Sequence, residues 1–494
     1  MLYDIYHIRL NINKKGNGVN LNTNHSKQEL ARLKNKIMKR KLAGKLLAIS
    51  LTMIGFTQVA VATDGYFSLA YGTKSKGMGG AGVAIFENSL FGASNPAGLV
   101  RYGKGYGVAA GLFSPNRSYT VSGAPTIPSP SSFPPPFGLA EGKVTSNSKL
   151  FVMPALAANF MIGNTNAIGL SLYGNGGMNT NYNAKTFYAK YLDGNIMPDG
   201  SNPMQGVSKP TGVNLMQIFM AIQYSHGFGE KWSIGLGPIV GWQSFEAKGL
   251  QAFSNFGMSE SPENLTNRGA DRVFGIGGKV GILGQITPCL SVGATFQTPI
   301  YMQKFSKYSG LFAEKGGFNV PATWTAGIAV KATPSIVLAL DAKQIFYSKI
   351  KSIGNPINPQ ALLPMIPNSS GQLIQNPNYQ PLGSTNGSGF GWKDMFILKF
   401  GGEYKIKDNS TIRVGYSWGN NPIKSSQVLF NILAPGVIQN HITAGFTQQF
   451  GNKALDFAFV YAFKNSVSGK NQFDPAQTIK LEMSQWEFEV GFRF

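Results

Sequence analysis

The sequence predicts an all-β protein, a transmembrane antiparallel β-barrel of about fourteen strands with an N-terminal plug in its lumen. Three observations carry this. Charge is scarce without an excess of apolar residues, side chains alternate with period two along most of the chain, and the connections between alternating runs sort into short and long.

Only 13% of the 494 residues are charged, against roughly 25% in a soluble domain. The apolar fraction is an ordinary 43%, and Gly (61 residues) together with Ser, Thr, Asn and Gln fills the difference. Aromatic residues make up 12%, which opposes disorder. The one cysteine, Cys289, excludes a disulfide framework and a Cys-based zinc site.

Alternation is the mark of a strand whose two faces meet different surroundings. Over 395–406, Phe396, Leu398, Phe400, Tyr404 and Ile406 oppose Lys399, Glu403 and Lys405. Over 411–418, Ile412, Val414, Tyr416 and Trp418 oppose Thr411, Arg413, Gly415 and Ser417. Leu455, Phe457, Phe459, Tyr461 and Phe463 oppose Asp456, Ala458 and Ala462, and the chain ends with Phe488, Val490, Phe492 and Phe494 opposing Glu487, Glu489, Gly491 and Arg493.

Strands are expected to begin near residues 104, 144, 166, 213, 232, 270, 289, 321, 335, 391, 410, 440, 454 and 479. Every second connection is tight: Gly163–Asn166, Gly227–Glu230, Thr287-Pro288, Thr333-Pro334, Lys407–Asn409 and Gly451-Asn452. The others are long, over 123–143, 184–212, 251–269, 306–320, 351–390, 425–439 and 467–478. Short turns on one rim and long loops on the other are the pattern of a membrane barrel, and a sandwich has no reason to adopt it. Closing the sheet satisfies the backbone groups that lipid cannot. The terminal aromatic Phe494 stands where many outer-membrane barrels carry the residue read by the barrel-assembly machinery.

The N-terminus reads as an address. Met38-Lys39-Arg40-Lys41 and Lys45 precede an uncharged run from Leu46 that closes on Ala60-Val61-Ala62. A basic start, an apolar core and an A-x-A site make 38–62 a signal peptide, with Thr63 as the mature N-terminus. Residues 1–37 then read as an upstream extension from a mis-called start. The stretch 1–62 carries eleven Lys+Arg and two Asp+Glu, so the net charge of +22 falls to +13 for 63–494. This charge is dispersed, with no nucleic-acid stripe or motif. It suits a surface near anionic lipid and lipopolysaccharide, or a lumen that admits anions.

Residues 63–103 do not alternate. They read Asp64-Gly65-Tyr66-Phe67, Lys76-Gly77-Met78-Gly79-Gly80-Ala81-Gly82 and Ser94-Asn95-Pro96-Ala97-Gly98. No strand precedes Gly77-x-Gly79 and no P-loop Lys-Ser/Thr follows, so this is not a nucleotide loop. Glycine density permits an irregular backbone packed among other chains, and a lumen of this width must be filled or remain an open pore. A segment ending in Asn95-Pro96-Ala97 before about fourteen strands resembles the FadL-type family of outer-membrane long-chain fatty acid and hydrophobic-compound transporters. The Asp-Gly-Tyr-Phe opening and the Lys-Gly-Met-Gly-Gly run resemble its aromatic-hydrocarbon branch. Pro321-Ala322-Thr323-Trp324 and Gly415–Gly419 are further points of similarity, and the resemblance spans 63–494.

The resemblance implies passive uptake of an apolar or amphipathic molecule, long-chain fatty acids foremost, by a monomer needing no cofactor, metal or energy-coupling partner. Residues 63–103 would be a hatch within a barrel of 104–494, and Gly77, Gly79, Gly80, Asn95, Pro96 and Ala97 its marker residues. Ligand would be caught between the third and fourth extracellular loops, where Phe253, Phe256, Leu311 and Phe312 offer an apolar groove on otherwise polar loops. It would leave sideways at an inward kink of the third strand, which breaks here at Gly174-Asn175-Gly176-Gly177; glycine within a strand often marks a bulge. The hatch residues 95–97 would hold that gap open. Lumen-facing Lys399 and Arg413 are candidates for a carboxylate head group, with an ion pair to Glu403 as the structural alternative.

A general diffusion porin would explain the barrel but not 63–103, and an aromatic-hydrocarbon channel is the other alternative. An energised plugged receptor needs about twenty-two strands. An enzyme is not expected, because hydrolysis usually needs a His base, yet the mature chain has only His226 and His441, at opposite rims, and no Gly-x-Ser-x-Gly elbow. An adhesin or scaffold stays open, since loops carry that function too.

Overall fold

The structure, a computed structural model, describes residues 64–86, 90–127, 137–194 and 202–494. The signal peptide expected at 38–62, the cleavage before Thr63 and the upstream extension 1–37 lie outside the described residues. So do 128–136 and 195–201, within the first and second long connections.

Fourteen strands form one closed antiparallel sheet. In chain order they are β1 (Gly105–Ser122), β2 (Phe151–Ile162), β3 (Asn166–Asn179), β4 (Gly212–Phe228), β5 (Trp232–Lys248), β6 (Asp271–Thr287) and β7 (Leu290–Gln297). They continue with β8 (Thr323–Thr333), β9 (Ile336–Ile345), β10 (Met395–Lys407), β11 (Ser410–Gly419), β12 (Asn440–Phe450), β13 (Lys453–Asn471) and β14 (Asp474–Arg493). Each pairs with its sequence neighbours, and β14 returns to β1 from Gly107↔Arg493 to Ser122↔Thr478. The circuit is closed with no terminal edge strand, which is the condition for crossing a bilayer with strands.

The pleat sorts side chains as the alternation requires. Along β5, Trp232, Ile234 and Leu236 are exposed on the outer face while Ser233, Ile239 and Gln243 are buried inside. On β13, Phe459, Tyr461 and Phe463 face outward, and Asp456, Ala458 and Ala462 are buried. Large apolar side chains on the outside of a closed sheet are stable only in lipid.

Two connections differ from expectation. The second strand begins at Phe151 rather than near 144. Gly142–Thr145 instead forms a short ribbon on Ser118–Val121 of β1, and the chain re-enters the wall after 146–150. The stretch 467–478, expected as a long loop, is a hairpin turning at Gln472-Phe473, with β13 and β14 paired out to Asn471↔Asp474. Its polar, glycine-containing sequence looks like loop, but the residues pair above the apolar band, where Lys464 and Lys480 bond Glu482 at 2.8 and 3.2 Å. Six tight turns therefore mark one rim, while six long connections and this tall hairpin mark the other.

Candidate lumenal passage and lateral window

The N-terminal segment packs against the inner faces of the strands. Gly79 takes a φ of 68°, and a Cβ there would meet the backbone N and O of Tyr416 at 2.7 and 2.8 Å, so only glycine fits. Thr443 Oγ1 donates to Gly77 O (2.9 Å) and accepts from Gly79 N–H (2.8 Å). Gly80 lies over Lys399. The helical turn Thr73–Gly77 is held by charge: Lys76 bonds Glu487 and Glu489 of β14, and Thr73 Oγ1 donates to Glu489 at 2.8 Å. Burial pushes the Lys76 pKa down, but the two carboxylates outweigh it and hold the pKa above its ordinary value.

Asn95, Pro96 and Ala97 form a second anchor. Asn95 Oδ1 caps the turn by accepting from Ala97 N–H, and Asn95 Nδ2 donates to Val83 O (2.9 Å) and Ile282 O (3.1 Å). Ala97 O accepts from Ser225 and Ser233 hydroxyls at 2.9 and 2.8 Å. These residues therefore lodge against β4, β5 and β6 rather than at the third-strand break. The physical reason is the Asn95 side chain, which needs backbone acceptors and finds one on β6.

The break itself is a β-bulge. The β3–β4 register shifts between Gly174 and Gly176, leaving Asn175 as the extra residue. The bulged strand turns inward and parts from β2, whose pairing with β3 stops at Ala155↔Tyr173. Farther up, Asn147 N–H donates to Asn181 O at 2.8 Å and bridges the wall again. Between these points β2 and β3 share no ladder, which leaves a window in the sheet. Residues 66–68 replace β2 on the inner side: Ser68 N–H donates to Asn175 O, Gly177 N–H donates to Tyr66 O, and Phe67 pairs with Gly176. A Cβ on Gly176 would overlap the Tyr66 carbonyl, which explains glycine at that position. The Asn175 amide is buried and held on both sides, accepting from Tyr71 OH (2.5 Å) and donating to Gln217 (2.8 Å).

An aromatic column runs from the long loops to this window. Phe253, Leu311 and Phe312 line one apolar cavity of ≈ 30 Å³ with Phe390, Phe430 and Leu433. Phe312 packs on Phe318 (4.7 Å between ring centroids), Phe318 on Tyr66 (6.2 Å) and Tyr66 on Phe67 (5.3 Å), beside Gly176. Phe256 is not in the cavity and packs on Phe137 at 5.6 Å. The expected open groove differs from this arrangement, since Phe253, Phe256 and Phe312 are buried and Leu311 is partly buried. The loops fold inward because aromatic side chains gain more by packing on one another than by facing water.

Residues 69–491 match the family of outer membrane protein transport proteins (OMPP1/FadL/TodX). The chain belongs to this family. Among solved structures it is similar to the Pseudomonas putida toluene transporter TodX, at 17% identity and a TM-score of 0.57, covering 86% of this chain and 98% of that one. A Pseudomonas aeruginosa FadL homologue gives 14% and 0.57, covering 87% and 99%. The Ralstonia pickettii toluene transporter TbuX gives 16% and 0.53, covering 86% and 98%. At these identities the likeness is one of fold. No curated protein matches the chain. As a member of the OMPP1/FadL/TodX family, the protein is an outer-membrane β-barrel of a transport family rather than an enzyme family. Among the described residues the two histidines lie apart, His226 near the short-turn end of β4 and His441 at the opposite end of β12.

The two head-group candidates are both engaged. Lys399 bonds Asp64 at 3.0 Å, and Arg413 bonds Glu403 at 2.5 Å and Thr447 Oγ1 at 2.7 Å. Asp64 is shared with Lys343 at 2.9 Å. Burial opposes its charged form, but the two ammoniums win and its pKa lies below the usual carboxylate range. Sequence reading missed Lys343 and Lys279. A strand-borne Asp341-x-Lys343 pair and a lone Lys279 in a Gly-rich strand were the available signals.

Proposed function

We propose that the protein takes up hydrophobic or amphipathic molecules across the outer membrane by passive diffusion along the aromatic column and out through the window between β2 and β3. The window carries this reading: a one-residue bulge at Asn175 ends the β2–β3 ladder where Phe67, the foot of the column, meets Gly176. Binding along apolar rings followed by exit into lipid needs no energy source, because the cargo moves between environments of similar polarity.

In this reading 38–62 is the signal peptide, 63–103 the hatch and 104–494 the barrel. The hatch excludes hydrophilic solutes, which opposes a general porin. The barrel works as a monomer, its belt in contact with lipid and lipopolysaccharide, and Phe494 is offered to the barrel-assembly machinery. Long-chain fatty acids are the first cargo class. Uncharged aromatic hydrocarbons are the second reading, favoured by the neutralised Lys399 and Arg413 and by the toluene transport named for TodX and TbuX.

Proteoliposomes distinguish these. Uptake of a fatty acid or a monoaromatic hydrocarbon with little small-solute leakage is expected. Substantial leakage with no hydrophobic uptake would favour the porin.

A further inference from the structure

Lys279 is a buried lysine without a carboxylate partner among the described residues. It points into the lumen from β6, is 6% exposed, and among the described residues bonds only to the carbonyl oxygen of Ala93. The Tyr71 ring lies 5.7 Å away. Desolvating an ammonium is expensive unless an opposing charge compensates, so buried lysines are ordinarily paired.

The surroundings repeat the imbalance. Lys279 lines a cavity of ≈ 60 Å³ between residues 67–71, 80–83 and 93–94 of the N-terminal segment and the inner faces of β6–β10. Cross-strand register assembles the polar wall. Lys279 opposes Gln297, Gln297 opposes Thr323, Thr295 opposes Thr325, Thr325 opposes Lys343, and Asp341 opposes Lys399. Three ammoniums, those of Lys279, Lys343 and Lys399, face two carboxylates. Asp64 is already shared by Lys343 and Lys399. Asp341 spends Oδ2 on the N–H groups of Gly82 and Val83, at 2.8 and 2.9 Å, while its Oδ1 has no donor and lies against Gly327. With every group ionised, the lysines exceed the carboxylates by one. The Gln297 amide Nε2, also buried, has no acceptor among the described residues. At the β6–β7 end of the cavity, where Lys279 lies across from Gln297, the groups left short are donors, and what they lack is an acceptor.

We propose that this cavity binds one small monovalent anion, of carboxylate or halide size. Lys279 is its charged partner, and Gln297, Thr295 and Thr323 are its neutral donors. By this measure of volume about 10–15 Å³ admits one water, so the cavity takes a group of a few heavy atoms. The bound anion ties 93–94 and 69–71 to the wall of β6–β8, so it locks the N-terminal segment in place. The site stands on the cavity and its charges, so it can fail or hold independently of the cargo reading. Two sources share this chemistry, a free small anion and the carboxylate of an amphipathic cargo.

The test uses the purified full-length protein in an uncharged detergent, unfolded by heat and followed by gel mobility. At constant ionic strength, sodium gluconate, whose hydroxylated chain cannot follow its carboxylate into apolar surroundings, is replaced by sodium formate. The wild type is expected to show a saturable rise in its unfolding midpoint. Lys279→Met, which keeps bulk and removes charge, loses that rise, with formate affinity down roughly tenfold or more. Gln297→Leu weakens it and serves if Lys279→Met folds poorly, while Lys304→Met on an exposed loop retains it. Decanoate displacing formate where decanol does not would identify the cargo head as the source, and no displacement would identify a free anion. A wild type indifferent to formate, or equal responses in wild type, Lys279→Met and Gln297→Leu, would overturn the proposal.

Discussion

Lys76→Met removes the one ammonium that bonds two buried carboxylates, and its effect separates the N-terminal segment from the barrel that holds it. The Lys76, Glu487 and Glu489 side chains are 5%, 1% and 4% exposed, so solvent screens them little. Removing one partner from a buried ion pair costs about 3–5 kcal/mol, since the remaining charge is left desolvated. At 1.4 kcal/mol per decade this raises the population in which 64–103 has come away by roughly 10²-fold to a few thousand-fold. The β-ladder is untouched, so heat-modifiable gel mobility should persist. Limited trypsin digestion at Lys74 reads the detached population, since cleavage follows opening when reclosure is fast, and small-solute leakage should rise with it. Lys76→Met/Glu487→Gln/Glu489→Gln, which removes all three charges together, should recover most of the loss, because replacing a whole buried ionic group is often near neutral. Because the Lys76 pKa is raised, its contribution is full below the ordinary lysine value and is lost only as pH climbs through the higher folded value. The difference between wild type and Lys76→Met should therefore be flat across neutral pH and shrink only in strong alkali. Trypsin sensitivity and leakage in Lys76→Met within about twofold of wild type would refute charge pinning of the segment.

Two further outcomes are expected. Phe494→Asp should lower outer-membrane levels while changing the unfolding of protein that does insert only slightly. Phe494 sits at the short-turn rim with its backbone paired to Tyr106 at 2.8 and 3.0 Å, and an acidic residue near the interface costs about 0–1 kcal/mol. Normal levels would contradict a role in assembly. Mass spectrometry of membrane-extracted protein should place the N-terminus at Thr63, and a terminus at Met1 would contradict signal-peptide cleavage.

The barrel was legible because its determinants are local. Alternation such as Ile412-x-Val414-x-Tyr416-x-Trp418 and turns such as Lys407-Asp408-Asn409 fix where a strand runs and ends, and the observed starts fall at 410, 440 and 453. The errors came where polarity no longer reports on structure. Ser468, Gly469 and Lys470 look like loop yet pair in β13, because above the apolar band a strand needs no lipid-facing side chains.

The lumen was less legible, since its contacts join residues hundreds of positions apart. Gly174–Gly177 announced a disruption in β3, and a bulge is there. That residues 66–68, rather than 95–97, would face it depends on how the segment folds back, which no periodicity encodes. Lys399 and Arg413 were recognisable as lumen-facing from strand parity alone. Their partners were not equally so: Glu403 lies directly across the ladder from Arg413, whereas Asp64 reaches Lys399 from 335 residues away.

Deleting Asn175 tests lateral exit most directly. The deletion joins Gly174 to Gly176, whose partners Ile218 and Gln217 are already consecutive on β4, so β3 can run straight and extend its ladder with β2 across the window. In proteoliposomes carrying equal amounts of folded barrel, hydrophobic uptake and small-solute permeability are measured side by side. The expected result is loss of hydrophobic uptake with solute leakage as low as in the wild type. Undiminished hydrophobic uptake through the straightened strand would contradict exit through the window.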